Sequence, residues 1–148
     1  MKILATNKRA YFDYEVLETY EAGMELLGFE VKAVKTGHIN LNGSYVVIKN
    51  NEAWLINASI PPYQAANTPS SYDPMRSRKL LLHKYQLREL IGKSAQKGLT
   101  IVPLRVYTKN SRIKLEFGLG RHKKKQDKRE LIKKRESKRE IDRSVKES

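Results

Sequence analysis

Tyr11, Phe12, Tyr14, Val16, Leu17 and Tyr20 interleave with Asp13, Glu15, Glu18 and Thr19, a period near two that predicts a first β-strand. Glu21 to Gly28 interrupts it as a short apolar turn or helix, with Met24 and Leu27 turned to the core. Phe29 to Lys35 alternates again and predicts another strand, closed by Gly37. After a turn at Asn42-Gly43, the apolar runs Ser44–Lys49 and Ala53–Ala58 flank Asn50-Asn51. Both asparagines tolerate positive φ, so the segment reads as a hairpin. Pro61 to Pro74 is too rich in proline and small polar residues for a central strand and predicts a long loop.

Leu80, Leu81, Leu82, Leu87, Leu90 and Ile91 fall on a helical stripe with Gly98 as its stop, and a helix from about Lys84 to Gln96 is expected. Two β runs follow, Thr100–Tyr107 and Arg112–Phe117, joined by a tight turn at Lys109-Asn110-Ser111. Pro103 puts the first of them at a sheet edge or a bulge. Six or so short strands, one intervening helix and no βαβ rhythm predict a mainly β fold, a small antiparallel OB-type barrel with short flanking helices.

The pattern changes character at Arg121. Residues 121–148 hold thirteen Lys or Arg against six Asp or Glu, so they carry +7 of the formal +14 of the 148-residue chain. Leu131, Ile132, Ile141 and Val145 are the only aliphatics there, too few to offset a backbone ordering cost of roughly 1–2 kcal/mol per residue. The expected organisation is therefore an OB-type barrel over 1–120 and a basic tail over 121–148. Yet no Gly or Pro follows Gly120, and Lys, Arg, Glu and Leu are good helix formers. Asp127 as N-cap with Glu130 three residues on, then Glu130–Lys134 and Asp142–Lys146 at helical spacing, predict a tail that is mobile alone and helical against a polyanion.

Composition narrows the chemistry. Without Cys there is no disulfide or thiolate metal site, and His38, His83 and His122 lack metal-ligand spacing, so neither metal nor cofactor is expected. The amino terminus is too briefly apolar for a signal peptide or membrane span, which points to a cytoplasmic protein away from membranes. No nucleophile–base pair, carboxylate pair or phosphate-cradling loop is recognisable, and Gly118-Leu119-Gly120 runs into the tail instead of opening a helix. A binding protein is indicated, not an enzyme. Asn7-Lys8-Arg9, Lys32-Lys35, Arg76-Arg78-Lys79-Lys84 and the tail are basic groups set among Tyr11, Tyr14, Tyr45, Tyr63 and Tyr72. Phosphate neutralisation by such groups supplies most nucleic-acid affinity.

Six blocks in order, NKRAYFDY from Asn7, EAGMELLGFEVKAVKTG from Glu21, NLNGSY from Asn40, DPMRSRKLLLHK from Asp73, KGLTIVPLRVY from Lys97 and KKKQDKRELIKKRE from Lys123, resemble the SmpB family of SsrA-binding proteins over almost the whole chain. The resemblance implies a monomeric adaptor whose barrel grips the tRNA-like domain of transfer-messenger RNA. Its tail would enter the empty mRNA channel and decoding centre of a stalled ribosome during trans-translation. Elongation factor Tu and alanyl-tRNA synthetase are implied as functional neighbours. Asn7, Glu21 and Leu81 match family positions associated with RNA binding, and Lys8, Arg9, Glu30, Lys32, Arg76, Arg78 and Lys79 complete the expected RNA-binding set. Lys123, Lys124, Asp127, Lys128 and Arg129 match the tail motif that engages the ribosome. His122 stands where the family usually has Gly, and Gln126 where His or Tyr is common.

Overall fold

The computed structural model describes residues 1–64, 66 and 68–147, with the backbone alone for 125 and 140–147. Its strands are β1 (Lys2–Thr6), β2 (Tyr14–Met24), β3 (Tyr45–Lys49), β4 (Glu52–Ile56), β5 (Arg78–Leu81), β6 (Leu99–Lys109) and β7 (Arg112–His122). The helices are α1 (Lys8–Asp13), α2 (Gly28–Lys35), α3 (Lys84–Ser94) and α4 (Lys125–Glu147). All seven strands form one antiparallel sheet in the order β1-β6-β7-β2-β5-β4-β3. Because β3 comes back against β6, the sheet curls into the OB-type barrel that the pattern predicts. The long strand β2 makes the corner, pairing with β7 from Tyr14 to Gly23 and with β5 at Gly23 and Met24.

The interior follows from alternation. Ile113, Leu115, Phe117 and Leu119 of β7 point inward, where they meet Ala53 and Leu55 of β4, Ala33 and Val34 of α2 and Leu90 of α3. Strand β6 changes faces partway along. Ile101 and Val106 both lie in the main core although five residues apart, while Val102 and Leu104 pack outward with Ala10 of α1. The register shift between Pro103 and Arg105 reverses the parity, so the expected bulge is present, in a strand paired on both sides. The hairpin also forms as expected, with Asn50 at φ 54° and Asn51 at φ 57°. Asn110 and Ser111, at φ 51° and 64°, make the last tight turn.

Several segments differ from their sequence expectation for tertiary reasons. Phe29 to Lys35 belongs to helix α2, because burying Glu30, Ala33 and Val34 together requires an i, i+3, i+4 face. Tyr11 and Phe12 lie in α1, capped when the Asn7 side chain accepts from the Ala10 N–H at 3.2 Å. Residues 21–24 continue β2 without a break. Leu80 and Leu81 are in strand β5 and only Leu87 and Leu90 of the leucine stripe serve α3 as packing residues. The segment before Asn7, unassigned by pattern, pairs with β6 as β1. Arg121 and His122 end β7 opposite Glu15 and Tyr14, so the body runs two residues past Gly120.

The tail is helical over Lys125–Glu147, and its beginning rests on α1. Lys128 Nζ is 2.9 Å from Asp13, Lys123 Nζ donates to the Tyr11 carbonyl at 3.0 Å, and the Phe12 ring carries Arg9, Lys128 and Arg135 within 5.4–5.7 Å of its centroid. Asp127 sits three positions inside the helix and accepts from the Lys124 N–H at 3.3 Å, so it plays the inner part of a capping box instead of the N-cap. Of the expected helical pairs, Asp142–Lys146 lies outside the described side chains.

Candidate nucleic-acid interface

Where β2, β5 and the start of α3 meet, the barrel opens into a groove of about 960 Å³. Five cations line it, Lys35, Lys79, Lys84, Arg112 and Lys114, against the carboxylates of Glu21 and Glu52. Lys79 is 3.2 Å from Glu52, whereas Lys35, Lys84 and Arg112 form no ion pair among the described residues. The floor is partly apolar. Leu81 is 52 % exposed on it, because its strand alternates and Leu80 takes the inward position. Leu81 lies over β2 at Gly23, where an added Cβ would meet its side chain in ordinary contact at 3.4 Å.

Glu21 sits at the edge of this groove as an ionised acceptor. The Tyr107 hydroxyl donates to its Oε2 and Lys109 Nζ lies 3.5 Å from its Oε1. The tyrosine hydrogen bond is the main cause holding its carboxyl below the usual range, with Lys109 and Lys114 adding to it. Burial and the same bond push the Tyr107 hydroxyl upward. Glu21 and Leu81 thus line the same open groove.

Other members of the expected set are withdrawn into the fold. Glu30 and Arg78 are fully buried. Arg78 donates to Glu30 at 2.6 and 3.1 Å, to the Ala58 carbonyl at 2.6 Å, and to the Pro74 carbonyl and Tyr72 hydroxyl at 2.9 Å. Glu30 also accepts from Arg76, from Tyr72 at 2.7 Å and from the Leu27 N–H at 2.8 Å. Burial alone would raise the Glu30 carboxyl, but donation by Arg76, Leu27, Arg78 and Tyr72 outweighs it and leaves a pKa of about 2. This cluster clamps the 61–74 loop to α2. Asn7 is likewise buried, its amide donating to the Pro103 carbonyl at 2.9 Å beside the β6 bulge. Asn7, Glu30 and Arg78 therefore shape the surface from beneath, and none has a polar atom left over for RNA. Tyr72, in the same cluster, packs edge-on against Phe29 at 4.7 Å.

Lys8 and Arg9 are exposed on α1, and the tail residues Lys124, Asp127 and Arg129 are exposed as well. Lys32 is exposed on α2, and Arg76 is half-buried in its ion pair with Glu30. His122 and Tyr14 form a tilted ring pair at 4.7 Å, and Gln126 is exposed on the first turn of α4. Sequence reasoning passed over Arg112, Lys114 and Tyr85, all on the groove with His83. One signal was available for Tyr85, an aromatic in the first turn of a helix whose core stripe, Leu87 and Leu90, faces the other way.

A small antiparallel barrel with an open cationic groove on one side and a cationic helix on another defines a polyanion-binding protein of the OB class. The chain belongs to the SmpB family, whose family model, described as SmpB protein, matches residues 4–147. It is 50 % identical to the SsrA-binding protein of Thermosynechococcus vestitus, covering 99 % of this chain and 97 % of that one. It is 49 % identical to the SsrA-binding protein of Nostoc punctiforme over 98 % of this chain and 94 % of that one. A solved chain described under "tmRNA-SmpB: a journey to the center of the bacterial ribosome" superposes with a TM-score of 0.67 at 44 % identity, covering 86 % of this chain and 93 % of that one.

Proposed function

We propose that this protein is a non-enzymatic adaptor that binds the tRNA-like domain of transfer-messenger RNA and brings it to stalled ribosomes for trans-translation. The observation that carries this reading is similarity to SsrA-binding proteins along nearly the entire chain, body and tail alike. The groove supports it physically. Unpaired cations meet phosphates, while Glu21 accepts from a 2′-hydroxyl or base amino group, a mode suited to RNA read by shape and sugar. Lys8, Arg9, Lys32, Lys79 and Leu81 extend the RNA-facing surface.

The tail, with Lys123, Lys124, Asp127, Lys128 and Arg129, occupies the empty mRNA channel and decoding centre. Ribosomal RNA phosphates there take over its cations from Asp13 and the Phe12 ring. Elongation factor Tu and alanyl-tRNA synthetase act on the same RNA as neighbours of this monomer in the cytoplasm. Among the described residues no helix is long and apolar enough to cross a membrane.

The test is a chain cut after Lys124, which keeps the β7 pairs of Arg121 and His122 with β2 intact. It is expected to bind transfer-messenger RNA like the full chain and to tag no stalled peptides. Loss of RNA binding together with tagging would show instead that the tail is part of the RNA grip.

A further inference from the structure

Tyr85 is 62 % exposed, more than any other aromatic residue described, and its ring lies on that of His83 at 5.6 Å with only 11° between the planes. Packing does not explain it. Leu90 is fully buried and Leu87 joins the core from the same helix, and at 100° per residue both lie far around the helix from Tyr85. The ring is held in place by its stack on His83, so a second stacking partner would find it pre-ordered. The same groove is lined by Lys84 and Arg112, without ion pairs among the described residues, and by the exposed Leu81.

We propose that Tyr85, seated on His83, is a platform on which one unpaired base of the bound RNA stacks. This rests on the RNA-binding reading of the groove and adds to it a specific demand on the ligand. A continuous duplex offers phosphates and sugar edges but no open base face, so the RNA must present a looped-out or terminal nucleotide beside α3. Cations of the groove hold the flanking phosphates, and the tyrosine takes the base. An acidic peptide would satisfy the cations and leave the ring idle.

Full-length wild type and the variants Tyr85→Ala, Tyr85→Phe, Tyr85→Trp and Lys84→Ala are titrated with the transcribed tRNA-like domain of transfer-messenger RNA across a salt series. Tyr85→Ala is expected to weaken binding roughly 5- to 150-fold without altering the slope of log affinity against log salt. Tyr85→Phe should stay within about twofold of wild type, since stacking needs the ring and not the hydroxyl. Lys84→Ala should reduce the magnitude of that slope by about one. In Tyr85→Trp the added indole emission should be quenched by RNA, against the background of Trp54. Wild-type affinity in Tyr85→Ala overturns the platform, as does equal loss in Tyr85→Phe, which would mean a hydroxyl contact. A lowered Tm in Tyr85→Ala also overturns it by returning the ring to a packing role. Failure of wild type to bind the RNA would instead overturn the function of the groove itself.

Discussion

Glu30 is a fully buried carboxylate surrounded by donors, and its position decides how the molecule responds to acid. Its pKa is depressed to about 2, so the stability it confers is present above the unfolded carboxylate value and is lost as pH falls toward 2. That contribution is on the order of 3 kcal/mol and should appear as a fall in urea midpoint between about pH 5 and 2. Glu30→Gln removes the dependence and costs about 3–5 kcal/mol at neutral pH, because Arg78 is left buried without its counter-charge. Urea unfolding at both pH values checks this. Gly118 is decisive for a different reason. A Cβ there would lie 2.8 Å from the Glu18 carbonyl and 2.9 Å from the Val16 side chain, where β2 bulges against β7. Gly118→Ala is therefore expected to cost about 1–3 kcal/mol, read as a lowered Tm. The two glycines flanking Leu119 serve strand contact, not phosphate binding.

Among the elements, α4 makes its described ion pair and ring contacts with the body near its start, through Lys128 and Arg135. Asp13 draws in Arg9 and Lys128, and hydrogen bonding from Lys128 is the main cause lowering its carboxyl. Salt and competing phosphates weaken such contacts, whereas the hydrophobic core is indifferent to them. Asp13→Asn or Phe12→Ala should speed hydrogen exchange in the first turns of α4 and leave the amides of β7 protected. Equal exchange in wild type and both variants would show that the helix start does not depend on α1. The body lends the start of this helix one carboxylate, Asp13, and one ring, Phe12.

For the whole molecule, charge is divided between two surfaces, a groove beside α3 and the face of α1 with the tail. A steep salt dependence of RNA binding is expected for the full chain. If the groove alone grips the transfer-messenger RNA, removing residues 125–148 should leave that slope nearly unchanged although it deletes ten Lys or Arg and a net +4 of the formal +14. Filter binding across a salt series measures it. A slope that collapses with the tail would merge the two surfaces into one.

Alternation and turn chemistry sufficed for the mainly β class and for part of the barrel, and left out β1, β5 and α2. β3, β4, β6 and β7 with their turns at Asn50-Asn51 and Asn110-Ser111, helix α3 and the basic tail are all written in local pattern, because period, backbone tolerance and charge are properties of neighbours in sequence. The resemblance likewise needed only order and identity. Local pattern failed where the deciding partner is distant. FEVKAVK alternates like a strand, and only Arg76 and Arg78, more than forty residues on, make burial of Glu30 and hence helix α2 possible. Asn7, Glu30 and Arg78 look like surface polar residues in the sequence. Tertiary structure alone turned Glu30 and Arg78 inward to satisfy each other and Asn7 inward onto the Pro103 carbonyl, and gathered Glu21, Leu81, Tyr85 and Arg112 from four elements onto one groove.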